Sequence, residues 1–216
     1  MYINIHTHQS HKSGVWSIQN MHDNFEVANS LFNYSVGIHP WYINENTISN
    51  DFEKMKLARN KINVLAIGEC GLDRICKTSF ELQKAVFIRH IQWANEIAKP
   101  IIIHCVKAHE DILALLKDYQ SLVPVIFHGF NNKESIANKI IKAGHYLSFG
   151  NAILFPSNEI AFNHIPLDKI FLETDDSDHT IEAIYEQAGR IKNISLEQLN
   201  LQIKKNTKKV FNLNVL

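Results

Sequence analysis

The 216-residue sequence has few cysteines, no excess of charge of either sign and no long hydrophobic run. Its three cysteines, Cys70, Cys76 and Cys105, lack Cys-x-x-Cys spacing, so we expect reduced thiols and not a disulfide framework. The 22 basic residues balance the 22 acidic ones, which argues against a strongly basic nucleic-acid platform but leaves room for contact with a few phosphates. No apolar run approaches the ~20 residues of a membrane span, and no signal-peptide pattern opens the chain. We therefore expect a cytoplasmic protein that does not associate with membranes and has no obligate protein partner.

No segment is rich in proline, glycine or serine, and no repeat of solenoid length is present. Residues 1–216 are therefore predicted to form a single domain. A chain of this length buries roughly 70% of the surface that it exposes when unfolded, so its core needs no structural metal. Histidine is the residue present in unusual number, with 12 in the chain. Any metal that these histidines bind is expected to be functional.

Short apolar runs alternate with helical patterns along the whole sequence. Runs such as IIIH and VIFH, apolar almost throughout, are typical of a parallel sheet covered on both faces. The predicted strands cover residues 2–6, 15–18, 34–39, 64–69, 101–104, 125–128, 146–149 and 170–173. Eight such units predict a compact α/β fold of the (β/α)8 TIM-barrel type, with an open doubly wound sheet as the alternative. Only 28 residues separate His8 from Gly37, so the N-terminal part of the barrel is expected to be shortened.

The helical segments carry recognisable end signals. Predicted helices cover residues 52–60, 80–98 and 133–143, and a last one runs from residue 195 towards residue 211. Asn50 with Glu53, and Ser195 with Gln198, have the spacing of a capping box at a helix start. Gly144 suits the left-handed backbone position that ends a helix.

Polar side chains of metal-ligand type stand at the ends of the predicted strands. They are His6 and His8 after the first strand, Glu69 after the fourth, His104 after the fifth, His128 after the sixth and Asp175 after the eighth. In a barrel these carboxyl ends meet at one mouth, so the six residues are predicted to share one site. Imidazole with carboxylate suits Zn²⁺, Mn²⁺, Fe²⁺ or Co²⁺ better than Ca²⁺ or Mg²⁺ alone.

Each of these six residues also has a structural interpretation when it is taken singly. A histidine after an apolar strand is commonly a hydrogen-bonded core residue, and Glu69 suits an exposed strand end. Asp175 lies in the acidic run FLETDDSD and suits a solvated turn or a helix cap. The coincidence of all six at strand ends favours the metal site.

Seven ordered segments of the chain resemble the TatD family of metal-dependent deoxyribonucleases and hydrolases, a branch of the amidohydrolase-type barrels. They are NIHTHQS, VGIHPWY, AIGECGLD, KPIIIHCVKAHEDILALL, VIFHGF, GHYLSFGN and PLDKIFLETDDSD. The resemblance implies that His6, His8 and Asp175 hold one divalent ion and that His104 and His128 hold a second. It also implies that Glu69 bridges or serves both. The ions expected from it are Mg²⁺, Mn²⁺ or Zn²⁺, two in number.

The sequence departs from the commoner form of this family at three places. Asn4 stands where an aspartate is usual, and Val106, followed by Lys107, stands where an arginine is usual. After Asp175 the chain continues as Asp-Ser-Asp instead of Ser-Pro with a long loop. These departures spare the metal ligands but change the rim that meets substrate.

The function expected from these features is hydrolysis by a metal-activated water, with Asp175 as general base and Glu69 as the second catalytic carboxylate. A deoxyribonuclease or phosphodiesterase acting on DNA ends or short nucleic acid is favoured. Two alternatives are a hydrolase of C–N or C–O bonds in a small metabolite and a metal-binding protein without turnover.

Other residues have candidate roles at the rim of this site. Lys107 and Arg74 are candidates to offset phosphate charge, although both also suit an exposed solubilising position. His39, in the segment GIHP, is a candidate substrate contact or a structural histidine. Trp41 follows directly and is a candidate for base stacking at the barrel mouth.

Overall fold

The structure is a computed structural model that describes residues 1–22, 25 and 31–213. The chain divides into two compact units, one of Met1–Gln19 with Phe127–Leu216 and the other of Asn20–Ile126. We call them the first and the second unit and describe each by itself. That residues 1–216 act as a single domain stays a prediction.

Strands and helices alternate through the described residues. The strands are β1 (Tyr2–Thr7), β2 (Val15–Met21), β3 (Asn33–Val36), β4 (Val64–Asp73), β5 (Ile101–Val106), β6 (Val125–Phe127), β7 (Tyr146–Phe149) and β8 (Ile170–Leu172). The α-helices are α1 (Ile48–Arg59), α2 (Phe80–Ile97), α3 (His109–Asp118), α4 (Glu134–Lys142), α5 (Glu159–His164), α6 (Ile181–Lys192) and α7 (Leu196–Phe211). Short 3-10 turns cover Pro40–Tyr42, Asn151–Leu154, Pro156–Asn158 and Leu167–Lys169.

The eight strands belong to one sheet in chain order, which confirms the predicted α/β fold of the (β/α)8 type. The pairs β1–β2, β3–β4, β4–β5 and β7–β8 are parallel. Within the first unit a parallel bridge between Thr7 and Asp175 joins the end of β1 to the segment after β8, as a closing barrel requires. Residues 8–14 connect β1 to β2 without a helix, which agrees with the predicted shortening. Among the described residues, no helix is long and apolar enough to cross a membrane.

In the first unit, α6 and α7 hold the start of β1. The buried Tyr185 hydroxyl donates to the Ile3 carbonyl at 3.0 Å and accepts from the Ile3 N–H at 3.2 Å. The predicted capping box of Ser195 and Gln198 is confirmed at the start of α7. Gly144 follows α4 with φ +94°, the left-handed conformation that its position in the sequence predicts.

In the second unit, the capping box predicted for Asn50 and Glu53 is wrong. Helix α1 begins earlier, at Ile48, with Thr47 as its N-cap, so Asn50 lies inside the first turn. The Thr47 hydroxyl donates to the Asp51 carboxylate at 2.8 Å, and the Asp51 N–H donates to the Thr47 carbonyl at 3.0 Å. The earlier start is explained by this pair of contacts, which together close a first turn that already contains Asn50.

Gly37 allows the chain after β3 to approach the middle of β4. A Cβ atom at this position would lie 2.7 Å from the backbone of Gly68 and Glu69, closer than any packed side chain can come. Glycine is therefore required here for the two backbones to meet. The close approach brings the segment that carries His39 next to Glu69.

Candidate metal centre

The first unit contains a group of two histidines and one carboxylate, built on the ends of β1 and β8. His6 and His8 are two residues apart along an extended segment, so both imidazoles emerge on the same face. Their Nε2 atoms lie 3.3 and 3.4 Å from the same carboxylate oxygen, Asp175 Oδ1. The backbone fixes this arrangement, because the His8 N–H donates to the Asp175 carbonyl and the Asp175 N–H donates to the His6 carbonyl, both at 3.1 Å.

These three side chains could hold one metal ion. One ligand atom from each of His6, His8 and Asp175 lies within 4.8 Å of the other two. Two neutral imidazoles and one carboxylate form a donor set that suits Zn²⁺ or Mn²⁺. The predicted ligands of the first ion are therefore brought together in the structure.

His128 lies beside this group and is oriented by a buried carboxylate. Its ring centroid is 4.3 Å from that of His6, and its Nδ1 donates to Glu173 Oε1 at 3.3 Å. The same oxygen accepts from the Gly129 N–H at 2.6 Å, and Glu173 is fully buried. A carboxylate that accepts from one ring nitrogen leaves the other, Nε2, as the nitrogen with a lone pair for a metal.

The negative charge of Asp175 is strongly favoured by its neighbours. Burial alone would raise its pKa, but hydrogen bonds from His6 and His8 outweigh that effect, and the positive charge of a protonated His6 or His128 adds to it. The pKa of Asp175 therefore lies far below its usual range. The side chain is a carboxylate at neutral pH, which is the form needed to bind a cation.

The second unit contains another group, made of His39, Glu69 and His104. Glu69 Oε1 lies 3.3 Å from His39 Nε2 and 2.9 Å from His104 Nδ1, and the two ring centroids are 4.2 Å apart. These three ligand atoms again lie within 4.8 Å of one another. The predicted pair Glu69 and His104 is therefore in direct contact, and this group has the donors for a divalent ion.

His39 contacts Glu69 in a way that indicates a defined tautomer. Its Nδ1 accepts a hydrogen bond from the Trp41 N–H at 3.1 Å, so the proton of the neutral ring lies on Nε2 and points to Glu69. His39 is almost fully buried. In this tautomer it is a hydrogen-bond donor that positions the carboxylate, which agrees with the structural alternative for His39; a contact with substrate stays a prediction.

Asn20, at the end of β2, holds Glu69 from the other side. Its side-chain carbonyl accepts from the Glu69 N–H at 2.8 Å and from the Ser35 hydroxyl at 3.2 Å. Its amide donates to Glu69 Oε2 at 3.3 Å. With His39 and His104 on Oε1, both oxygens of the buried Glu69 are engaged, which offsets the cost of burying the charge.

Asp73 is a further buried carboxylate, four residues along β4 from Glu69. Its Oδ2 accepts from Trp41 Nε1 at 2.6 Å and lies 3.2 Å from His104 Nε2, while Oδ1 accepts from the Ile75 N–H at 2.8 Å. Burial raises the pKa of Asp73, but these hydrogen bonds outweigh it and the net shift is downward. His104 therefore has a carboxylate at each ring nitrogen.

Lys107 and Arg74, the predicted phosphate contacts, have different surroundings. The Arg74 guanidinium forms an ion pair with Asp111 at 2.7 Å and lies 4.2 Å from the centre of the Phe80 ring. Lys107 is exposed directly after β5 and has a left-handed backbone with φ +52°. A phosphate would have to compete with Asp111 for Arg74, so Lys107 is the better placed of the two candidates.

The cysteines beside the candidate ligands lack the features of nucleophiles. Cys70, next to Glu69, is fully buried, and burial raises the pKa of its thiol well above the usual value. Burial likewise raises the pKa of Cys105 to about 12. A thiol acts as a nucleophile only when ionised, so both remain inert at neutral pH.

Asn20, Asp73 and Glu173 contact side chains of candidate ligands but were not among the predicted site residues. The sequence spacing could have indicated two of them. Asp73 is four residues after Glu69 on one strand, and Glu173 is two residues before Asp175. A period of two places such residues on one face of a strand. That the six predicted ligands serve one centre stays a prediction.

His90 on α2 is a buried histidine that holds the backbone next to His39. Its Nδ1 donates to the Val86 carbonyl at 2.8 Å, and its Nε2 accepts from the Ile38 N–H at 3.0 Å. Burial lowers the pKa of His90 to about 4, with a smaller contribution from the charge of Arg89. The ring is therefore neutral at pH 7, as the hydrogen bond from Ile38 requires.

We expect this histidine to make the fold sensitive to acid. The unfolded chain takes up a proton near pH 6.5 and the folded chain near pH 4, so stability falls as pH drops through that window, by up to about 3 kcal/mol. His90→Gln keeps an acceptor for Ile38 but does not titrate, and it is expected to flatten the pH dependence. Urea unfolding at pH 7, 5.5 and 4.5 measures the effect. If the stability of His90→Gln depended on pH as steeply as that of the unmodified protein, His90 would not be the source of the effect. His145, whose pKa burial also lowers to about 4, contributes to the part that remains, as do His11 and His109, whose pKa values burial lowers.

Comparison with known proteins shows similarity to one family along nearly the whole chain. The family model described as TatD related DNase matches residues 8–212. An uncharacterized metal-dependent hydrolase of Buchnera aphidicola subsp. Baizongia pistaciae is 32% identical over 83% of this chain and 74% of that protein. The protein named 3′-5′ ssDNA/RNA exonuclease TatD of Cronobacter sakazakii is 31% identical over 65% of this chain and 56% of that protein. The chain also spans about half the length, 54%, of the Escherichia coli hydrolase YcfH that it matches.

A solved structure gives the same fold. The crystal structure of YjjV, a TatD homologue of Escherichia coli K12, superposes with a TM-score of 0.85 over 98% of each chain, at 18% identity. At this identity the likeness establishes the architecture alone. It agrees with the eight-stranded (β/α)8 arrangement described above.

Proposed function

Because the chain belongs to the TatD-related DNase family of metal-dependent hydrolases, we propose that it cleaves phosphodiester bonds at the ends of DNA or in short nucleic acids. The observation that carries the proposal is the convergence of His6 and His8 on a single oxygen of Asp175. The exonuclease name of the Cronobacter relative supports the choice of nucleic acid as substrate. The balanced charge of the chain is compatible with a substrate that contacts the protein through a few phosphates at its end.

Residues of the two groups, together with His128, would hold two divalent ions, which could be Mg²⁺, Mn²⁺ or Zn²⁺. We propose His6, His8 and Asp175 as ligands of one ion and His104 and His128 as ligands of the other, with Glu69 serving both. Bound there, the ions would acidify water towards a pKa of ~7 and stabilise charge on the phosphate oxygens. His39, Asn20 and Glu173 would orient the ligands, since each already contacts a ligand side chain.

Asp175 is the proposed general base. It is partly exposed, and His6 and His8 both approach its Oδ1, so its second oxygen is the one proposed to accept a proton from the attacking water. Lys107 is proposed to contact the phosphate, with Arg74 as a second candidate if a substrate displaces Asp111. Lys107 and Arg74 act in this scheme only through their positive charge, and neither transfers a proton.

The substrate class is tested with a panel run in Mg²⁺, Mn²⁺ or Zn²⁺ and in chelator. We expect linear single-stranded DNA to be degraded from an end and a circular strand of the same sequence to be spared. Activity on an ester or an amide with none on DNA would overturn the nucleic-acid assignment and leave the small-metabolite hydrolase. No turnover of any substrate with bound metal would favour the metal-binding protein without catalysis.

A further inference from the structure

Two large aromatic side chains are exposed next to the second group of metal-ligand residues. Trp41 and Tyr42 lie in the 3-10 turn Pro40–Tyr42 that follows His39, and they are 58% and 53% exposed. The other two tryptophans, Trp16 and Trp93, are only partly exposed and pack against aromatic neighbours. An exposed indole at a site of candidate chemistry is a surface available for binding.

Trp41 is exposed yet held firmly in position. Its indole N–H donates to Asp73 at 2.6 Å, and its backbone N–H donates to His39 Nδ1 at 3.1 Å. The ring meets the rings of His39 and His104 edge-on, with centroids 5.1 and 5.9 Å away. These contacts fix the N–H edge of the indole, while the rest of the ring reaches solvent. The side chain therefore has little rotational freedom to lose when a ligand binds.

Tyr42 and its surroundings extend this exposed surface. The Tyr42 ring stacks on that of His22 with centroids 4.8 Å apart, so one of its faces is covered. An open depression beside the two aromatic rings is lined by residues 41–46, 78, 79 and 82. Glu45 is the one charged residue of that lining, and its charge is negative. The depression is therefore unsuited to binding phosphate groups and suited to binding a flat, uncharged ring.

We propose that Trp41 is a stacking subsite for a nucleobase next to the bond that is cleaved. The inference rests on the proposed function and names how the same site holds its substrate. Every base presents a π-face, so stacking gives affinity without sequence preference and without an excess of positive charge on the protein. A rigid indole within 6 Å of His39 and His104 would place a terminal base at a fixed distance from the ligands on β4 and β5.

The test separates the ring of Trp41 from its N–H group. Trp41→Phe keeps an aromatic face and loses the hydrogen bond to Asp73, whereas Trp41→Gln keeps a donor and loses the ring. Tyr119→Leu removes an exposed aromatic side chain at the end of α3 and is the matched control. Binding is measured in Mn²⁺ by fluorescence polarisation with two phosphorothioate decamers, one carrying thymine at every position and one abasic at its three 3′-terminal positions.

We expect Trp41→Gln to weaken binding of the thymine decamer about tenfold, with a smaller loss for Trp41→Phe and none for Tyr119→Leu. The abasic decamer is expected to bind all four proteins alike. In hydrolysis of the unmodified strand, the loss for Trp41→Gln should lie mainly in KM.

Equal losses for the two decamers, or a larger loss for Trp41→Phe than for Trp41→Gln, would overturn the stacking subsite and assign Trp41 a role through Asp73. Tryptophan-dependent binding of the thymine decamer without hydrolysis in any metal would uphold the subsite and overturn the proposed nuclease function. If both Trp41 variants hydrolysed DNA as fast as the unmodified protein, the nuclease function would stand and the stacking subsite would be overturned.

Discussion

Asp175→Asn is expected to reduce hydrolysis of single-stranded DNA about a thousandfold. Asparagine matches aspartate in size but carries no negative charge and accepts no proton at neutral pH. The Nε2 atoms of His6 and His8 lie 3.3 and 3.4 Å from Asp175 Oδ1, so the substitution removes the shared anion of the group. In the proposed scheme, metal ligation and proton acceptance are therefore lost at one position.

The matched control for this variant is Asp176→Asn, the same substitution at the next, exposed residue. Steady-state kinetics on an end-labelled oligonucleotide in Mn²⁺ compares the two variants, and their circular dichroism spectra check that both remain folded. We expect Asp176→Asn to keep kcat/KM within about twofold of the unmodified protein. Equal values of kcat/KM for the two variants would remove Asp175 from the catalytic site.

Glu69→Gln is expected to cause a loss of similar size, together with weaker metal binding. Glu69 is nearly fully buried, with His39 and His104 at one oxygen and Asn20 at the other. A neutral amide in that place binds a divalent cation poorly, and its NH₂ group would oppose the donors that surround it. Activity and folding stability are both expected to fall.

Glu53→Gln, on the exposed side of α1, is the control for the loss of a carboxylate. Metal content by elemental mass spectrometry is measured beside kcat, and a circular dichroism spectrum distinguishes a lost ligand from a disturbed fold. If Glu69→Gln retained full activity and full metal content, Glu69 would have neither of the roles proposed for it.

The candidate site residues that could be predicted from the sequence are those that stand at the end of a predicted strand. Glu69 and His104 stand at the ends of apolar runs, and they meet 2.9 Å apart because neighbouring parallel strands present their ends side by side. His6, His8 and Asp175 were found for the same reason. Strand order and strand position follow from local apolar patterns, and these were sufficient to predict that His6, His8 and Asp175 lie close together and that Glu69 lies beside His104.

The residues that were missed act through contacts between segments distant along the chain. Asn20 reaches Glu69 over 49 residues, and the pairing of Arg74 with Asp111 spans 37. No local pattern reveals either contact. Asp73 was missed because β4 continues through Gly71, whereas the glycines of AIGECGLD predicted that the strand ends at Glu69. The prediction of a helix N-cap at Asn50 was wrong because Thr47 is a second possible N-cap. The spacing of residues in the sequence does not show which of the two begins the helix.

The central claim, metal-dependent cleavage of nucleic acid at these histidine and carboxylate groups, is tested most directly by stripping and restoring the metal. A linear, end-labelled single strand is incubated with chelator-treated protein before and after Mn²⁺ is added back, and bound metal is measured in the same samples. We expect no hydrolysis by the stripped protein and a recovery that rises with occupancy up to about two ions per chain. Undiminished hydrolysis by the metal-free protein, or no hydrolysis with both ions bound, would contradict the claim.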